Sequence, residues 1–371
     1  MTEKYIILSD LHTKALWSIT PYLVKSIEND CKIIIPGIDS DRADNLDLLK
    51  RLAESNPDKL IITSGNHEEG FVKSLYELYN IITTTNPAYQ NNLLLMDMTN
   101  INWLETYFSQ DNAEEILNIV KQETAKEQVN LEMLTYAFRI NGKEDFSFTK
   151  TFKEIINSEA YKFIDDLVRQ EEKNAANKEF TNIKMAGNKV MILHGAPVDF
   201  ETDLSEGYNH FLWSGLTKGL RTDTKRIAKK EFDPVKAFII TDYLEKNNYK
   251  GLIRGHDHIP TLITRKRKEN GSFVMKVRTP SGSFIYHFGR DENHVEQLSE
   301  IAIYEKKNMV IEENEIFIFS TGAFDNGFYA EAKTSSKNRL KFRVYHTEQN
   351  NAPHKRFESE FYKGLARELF E

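Results

Sequence analysis

Short apolar runs alternate with amphipathic stretches through the first seventy residues. Tyr5 to Leu8, Lys32 to Ile35 and Leu60 to Thr63 read as buried strands, with helices over Ala15 to Glu28 and Asn45 to Ser55 between them. That alternation predicts parallel strands joined by crossover helices, an α/β arrangement. The strand signal returns at Val190 to Leu193 and at Leu252 to Ile253. Residues 71–185 carry a different pattern. Phe71-Leu75-Leu78-Ile82 and Ile116-Ile119-Val120 repeat at spacings of three and four, which predicts helix. The expectation is a helical insertion, a cap or partner surface, inside one domain spanning 1–371; a separate helical domain is the alternative. Residues 260–313 predict an added β-hairpin region, because Thr261 to Lys266 and Ser272 to Val277 alternate around Asn270-Gly271. Ile316 to Ser320 and Arg339 to Tyr345 read as late strands.

Composition narrows the class without naming it. With 371 residues, 40% hydrophobic and 28% charged, the chain has the makeup of an ordinary globular protein able to bury a large core. A net charge of -7 speaks against a nucleic-acid backbone as partner, since such binders concentrate basic surface. The run Arg265-Lys266-Arg267-Lys268 beside Asn270-Gly271 reads as a solvated hairpin tip. One cysteine, Cys31, rules out an intrachain disulfide and suits the cytoplasm or another reducing compartment; its place at the start of an apolar run favours packing over reactivity. No apolar stretch approaches the ~20 residues that span a bilayer. Met1 runs directly into the first strand, so no signal peptide is expected, and secretion by a signal-less route stays open.

The chemistry sits at the ends of the strands. Asp10-Leu11-His12, Gly37-Ile38-Asp39-Ser40-Asp41-Arg42, Gly65-Asn66-His67-Glu68, His194-Gly195 and Gly255-His256-Asp257-His258 each follow such a run, most of them directly, and Leu212-Trp213-Ser214 lies between the last two. Taken singly these are weak signals. D-x-H arises often by chance, His67 could cap a helix, and a histidine on an apolar strand is usually a satisfied core residue. Histidines at three strand ends, together with Asp and Asn, fit the core explanation poorly. Apolar strands ending in such residues gather hard oxygen and imidazole donors at one sheet edge. A pair of divalent ions ~3.5–4 Å apart, bridged by one carboxylate, calls for that donor set.

In this order the segments resemble the calcineurin-like metallophosphoesterase superfamily, and most closely its phosphoprotein phosphatase branch. The family pattern G-D-x-H-G, G-D-x-x-D-R-G, G-N-H-E, H-G and R-x-H is similar to Ser9 to Thr13, Gly37 to Ala43, Gly65 to Glu68, His194-Gly195 and Arg254 to His256. Leu212-Trp213-Ser214 is similar to the branch's L-W-S-D-P. Phe319-Ser320 with Phe324-Asp325-Asn326 is similar to its late strand and loop. The chain departs from the pattern in three places. Ile38 stands where the bridging aspartate is expected, Thr13 replaces a glycine, and His258 follows the fashion of the wider superfamily. Asp39, one position later, is the favoured bridge, with Asp41 the alternative.

The resemblance implies a β-sandwich flanked by helices in four layers, α/β/β/α, with the large helical insertion added. It implies two divalent ions, manganese foremost and iron or zinc as options. Asp10, His12, His258 and Asp39 would hold one ion, and Asp39, Asn66, His194 and His256 the other. Water activated between the ions would attack phosphorus directly, with no phospho-enzyme. His67, oriented by Asp41, would act as general acid; Arg42, Arg226 (with Arg221 as runner-up) and Arg254 would bind phosphate. The expected activity is a metal-dependent phosphatase acting on phosphoserine or phosphothreonine in proteins, with phosphotyrosine also in range. Alternatives are a hydrolase of dinucleoside polyphosphates or cyclic nucleotides, a small phosphorylated substrate in either case, and a catalytically impaired binding protein. A partner protein at the helical insertion is a further expectation.

Overall fold

The computed structural model describes residues 3–12, 14–40, 43–70, 72–73, 157–200, 212, 215–216, 232–279, 282–289, 295–301, 309–334 and 339–346. Within them, fourteen strands form two sheets in a mixed α/β architecture. The first has the order β11-β14-β13-β1-β2-β3. Its members are β1 (Lys4–Ile7), β2 (Cys31–Pro36), β3 (Leu60–Thr63), β11 (Met309–Ile311), β13 (Phe328–Thr334) and β14 (Leu340–His346). The second has the order β10-β9-β8-β7-β12-β6-β5-β4. It comprises β4 (Asn182–Met185), β5 (Asn188–Leu193), β6 (Gly251–Arg254), β7 (Pro260–Arg267), β8 (Phe273–Thr279), β9 (Gly282–Phe288), β10 (Val295–Ile301) and β12 (Glu315–Thr321).

The strands that precede the candidate chemistry are apolar throughout because both faces are covered. Ile6, Ile33 and Ile35 point to one side and pack with Leu23 and Ile27 of α1 (Thr20–Glu28). Leu46, Leu49 and Leu52 of α2 (Ala43–Ser55) and Tyr161, Ile164 and Val168 of α3 (Glu159–Ala176) complete that cluster. The alternate residues Tyr5, Ile7 and Ile34 fall in a second cluster with Val190, Ile192, Ile253, Phe317 and Phe319 of the other sheet. Met191, Leu193 and Leu252 join a third with Ala237, Phe238, Ile240 and Leu244 of α4 (Pro234–Lys246). This is period-two alternation with apolar residues on both faces, the pattern of parallel strands buried on each side. Indeed β1, β2 and β3 run parallel, as do β5, β6 and β12.

Local signals place the helix starts. Asp233 caps α4, its carboxylate accepting from the backbone N–H of Val235 and Lys236, and Pro234 occupies the first turn where no N–H is needed. Ser158 caps α3 through the N–H of Tyr161. The helix expected from Ala15 begins with a 3₁₀ turn, Leu16–Ile19, before α1.

Three expectations need adjustment. Residues 182–185, assigned to the helical insertion, form β4 and pair with β5 across Ala186-Gly187, both with positive φ, which is a tight hairpin turn. Of the rest of that insertion, 71 and 74–156 lie outside the described residues, while α3 is helical as expected. The hairpin expected around Asn270-Gly271 is present as β7 and β8, but the 260–313 region is part of a larger sheet. It continues the second sheet as the meander β7, β8, β9, β10, with β7 hydrogen-bonded to β12 and a left-handed Gly271 turning the β7–β8 loop. Arg265 is buried and not part of a solvated tip: it pairs with Glu245 of α4, and its guanidinium lies 4.6 Å from the centre of the Phe273 ring.

One buried acid on α3 has a measurable consequence. Burial pushes the Glu171 carboxyl up from 4.5 to about 8, against the pull of His194. Between those values the unfolded chain releases a proton that the folded chain keeps, so stability falls as pH rises through that window and levels off above it. Urea melts of the protein from pH 5 to 9 are expected to show that decline, and Glu171→Gln to flatten it.

Candidate metal centre

The chain leaves β1, β2, β3, β5 and β6 at their C-terminal ends within one small volume, and every strand-end donor expected there belongs to these exits. Backbone bonds continue between β1 and β2 past the strands: Leu11 N–H donates to Ile38 O at 2.9 Å, and His12 pairs with Ser40 in a parallel bridge. That register sets Asp10 and His12 beside Asp39. Ile38 is fully buried in the apolar cluster under α1 and α2, so its side chain has turned into the core. Asp39, with φ of 41°, turns back toward the strand ends.

Left-handed backbone marks the whole site. Nine non-glycine residues among those described have positive φ, and five of them are Asp10, His12, Asp39, His256 and His258. The other four, Asp30, Lys178, Ala186 and Asn248, sit in ordinary turns. Each such residue costs roughly 1–3 kcal/mol unless its surroundings enforce it. The surroundings here do so. Phe324 N–H donates to Ser9 O at 2.8 Å, Asp325 N–H to Asp10 O at 3.2 Å and Ala323 N–H to His258 O at 3.2 Å. The loop after β12 therefore stitches the first and last motifs together by main chain alone.

Two sets of donors converge. In one, His12 Nε2 and His258 Nε2 are 3.2 Å apart and His258 Nε2 lies 3.3 Å from Asp10 Oδ1. In the other, Asn66 Oδ1 is 2.8 Å from His194 Nε2 and 3.2 Å from His256 Nδ1, and His194 Nε2 is 3.2 Å from Asp39 Oδ2. Asp10, His12 and His258 form one group with metal-ligand spacing, and Asp10, Asp39 and His194 another. Pro36 O, which can only accept, lies 3.3 Å from His194 Nδ1, so that nitrogen carries the proton and Nε2 is turned into the site.

Electrostatics agree with a cation-binding role. Burial alone would raise both carboxyls, yet His194 and then His67 hold Asp39 well below the carboxylate range, and His258 does so for Asp10 with His194 adding. Conversely, burial opposes charge on His194, but Asp39 and Asp10 raise it to about 9; Asp10 raises His258 in the same way. His12 and His256 are pushed down, first by burial and then by His67 and His194 respectively. Two buried carboxylates thus draw protons onto neighbouring imidazoles, the positions a divalent cation would take over. One oxygen of each, Asp10 Oδ2 and Asp39 Oδ2, is buried with no hydrogen-bond partner, although the His194 ring approaches the latter. Orphaned carboxylate oxygens facing imidazole nitrogens and an amide oxygen fit a pair of divalent metals.

The structure brings together Asp10, His12, Asp39, Asn66, His194, His256 and His258, with His67 at the edge, its ring centre 4.8 Å from that of His12 and partly exposed. Asp41, Arg42 and Arg226, like Arg221, Trp213 and Ser214, lie outside the described residues. Arg254 is fully buried and faces Asp257, with Nη2 3.4 Å from Oδ2, which is not the open position expected of a phosphate clamp. Asp257 also accepts from Leu216 N–H at 2.9 Å, so it ties Leu216 to the turn that carries the two histidines on either side of it.

Glu68 is the residue that the motif reading passed over. Fully buried, its carboxylate accepts from the N–H of Asp39 at 2.9 Å, of Ser40 at 3.1 Å and of Gly65 at 2.8 Å. Its place at the third position of the helix beginning at residue 66 was a usable signal, since glutamate there reaches back to the residue before the helix.

No protein-family model matches the chain, and no curated protein does. Among solved structures it is similar to a metallophosphoesterase from Sphaerobacter thermophilus, at 12% identity over 99% of this chain and 98% of that one, with a TM-score of 0.35. A TM-score of that size fixes neither fold nor activity.

Close packing makes one substitution diagnostic. A Cβ on Gly65 would overlap Asp39 Oδ1. Gly65→Ala is therefore expected to displace the Asp39 carboxylate and lower manganese affinity by at least about tenfold, the size of one displaced polar contact, measured by calorimetric titration of the metal-free protein.

Proposed function

We propose that the protein is a metal-dependent phosphoesterase of the calcineurin-like metallophosphoesterase superfamily, with a phosphomonoester as substrate. Two donor groups at the strand ends, Asp10 with His12 and His258 and Asp10 with Asp39 and His194, carry this reading. Asp10, His12, His258 and Asp39 would hold one cation, and Asp39, Asn66, His194 and His256 the other. Manganese is the expected ion in vitro, with iron or zinc as options. Two such cations supply Lewis acidity toward phosphoryl oxygens and a water that ionises near neutral pH.

The chain's own side chains do the rest. The carboxylates of Asp10 and Asp39 fix the charge and position of the site, and the Nδ1–H bond of His194 to Pro36 fixes its tautomer. His67, beside His12 and partly exposed, would protonate the departing oxygen as general acid. Arg42 and Arg226 are the proposed phosphate ligands, with planar guanidinium suited to two oxygens at once. Buried Arg254 braces Asp257 and through it the His256–His258 turn. The four-layer sandwich, the phosphoprotein phosphatase branch and a phosphorylated protein substrate belong to the same proposal. Asp39 supplies the acid that Ile38 removes from the motif, which argues against an impaired site.

Four experiments test this. Chelation is expected to abolish hydrolysis of p-nitrophenyl phosphate and manganese to restore it; Asp39→Asn should lose bound metal, whereas Asp41→Asn retains metal and turns over slowly. Equal metal retention in both variants would remove the assignment of Asp39. A panel of phosphoserine, phosphothreonine and phosphotyrosine peptides against dinucleoside polyphosphates and cyclic nucleotides decides the substrate class. His67→Gln should slow phosphoserine hydrolysis by roughly 10²–10⁴-fold, and p-nitrophenyl phosphate far less, because nitrophenolate leaves without a proton. Equal loss on both substrates would contradict a general-acid role.

A further inference from the structure

Gly65, Asn66, His67 and Glu68 open a helix, and its first turn is capped from two directions. Gly65 precedes the helix and Glu68 is its third residue, the geometry in which a glutamate returns to the N–H of the capping residue, as Glu68 Oε2 does with Gly65 N–H at 2.8 Å. In a full box the capping side chain accepts from the third helical N–H, and capping side chains in general accept from the second or third. Gly65 has no side chain to offer. Asp39 supplies it from another strand end, its Oδ1 accepting from His67 N–H at 3.1 Å. A Cβ at Gly65 would fall on that oxygen, because the Asp39 carboxylate occupies the space of the missing cap. Glu68 in turn accepts from the main chain of Asp39 and Ser40, at 2.9 and 3.1 Å.

We infer that Glu68 is a positioning residue: with Asp39 it forms a capping box split between two strand ends, and this brace aims the displaced carboxylate of Asp39 into the metal centre. The inference rests on the proposed dinuclear reading of the site and goes beyond it. Residue 38 faces the core, so the acid comes from the next position. That position reaches the site only in a left-handed conformation, with φ of 41°. Two successive N–H groups turned onto one carboxylate hold that conformation from the backbone side. His67 N–H, on the side-chain end, leaves Asp39 Oδ2 pointing away from the helix, and Oδ2 is the oxygen near His194.

Glu68→Gln tests the brace. Glutamine keeps one acceptor oxygen and presents an N–H₂ where Asp39, Ser40 or Gly65 also presents N–H, so at least one donor is orphaned. Manganese binding is expected to weaken by about tenfold or more, the effect of one unsatisfied buried donor. The spin-coupled electron paramagnetic resonance signal of a manganese pair should give way to that of uncoupled ions. Leu244→Ala, on α4 and remote from the strand ends, controls for general destabilisation: it should lower Tm without changing either readout. Should Glu68→Gln fail to fold, Glu68→Asp, one methylene shorter with the charge kept, carries the test with a smaller loss in the same direction. Wild-type affinity and a coupled signal in the folded variant would overturn the positioning role while leaving the metal centre intact. A wild-type protein that takes up no manganese would overturn the centre and this inference together.

Discussion

Asp10 and Asp39 place two carboxylates where solvent does not reach, and each leaves an oxygen without a hydrogen bond. Bringing an ionised carboxylate out of water costs several kcal/mol, and mutual repulsion adds to that when two lie side by side. The compensating groups are imidazoles and one amide oxygen. Raised titration of His194 and His258 shows how strongly the pair recruits positive charge. Protons can meet that demand only by charging buried rings, which burial itself opposes. Divalent cations meet it with the same ligand atoms and no such conflict, which is why the site reads as a metal centre and not as a buried ion-pair network.

The fold serves that constraint through backbone placement. Parallel strands end together, so a residue or two past each strand suffices to bring donors from distant parts of the chain into one volume. The geometry then requires left-handed backbone at five donor residues, an outlay of the same order as the 5–15 kcal/mol net stability of a typical domain. Main-chain bonds from the 323–325 loop hold Asp10 and His258, and the side-chain carboxylate of Glu68 holds Asp39. Both faces of the strands are buried in apolar clusters, which keeps the sheet edge fixed while the loops carry the strain.

Much of this was legible in the sequence. Strand positions followed from apolar runs at Tyr5, Lys32, Leu60 and Val190, and the donors followed from what ended those runs. The irregularity of the Gly37 to Arg42 segment was visible in the sequence, and the structure shows where its isoleucine goes: the side chain of Ile38 joins the core cluster that β2 faces. What the sequence hid was tertiary. Asn182–Met185 is too short and polar to read as a strand without its partner β5. β13 was missed because its small and charged residues give a weak apolar run, and its place in the sheet comes from pairing with β1 and β14 on either side. Arg265 looked like a surface charge until Glu245 and Phe273 were placed beside it. Glu68 carried a helix-cap signal, but its acceptance of N–H groups from residues 39 and 40 depends on a contact between strand ends that local pattern does not encode.

The most direct measurement is anomalous diffraction from crystals grown with manganese. Two peaks are expected about 3.5–4 Å apart, one among Asp10, His12 and His258 and the other among Asn66, His194 and His256, with Asp39 ligating both. A lone peak, or an Asp39 carboxylate rotated out of reach of either ion, would contradict the account.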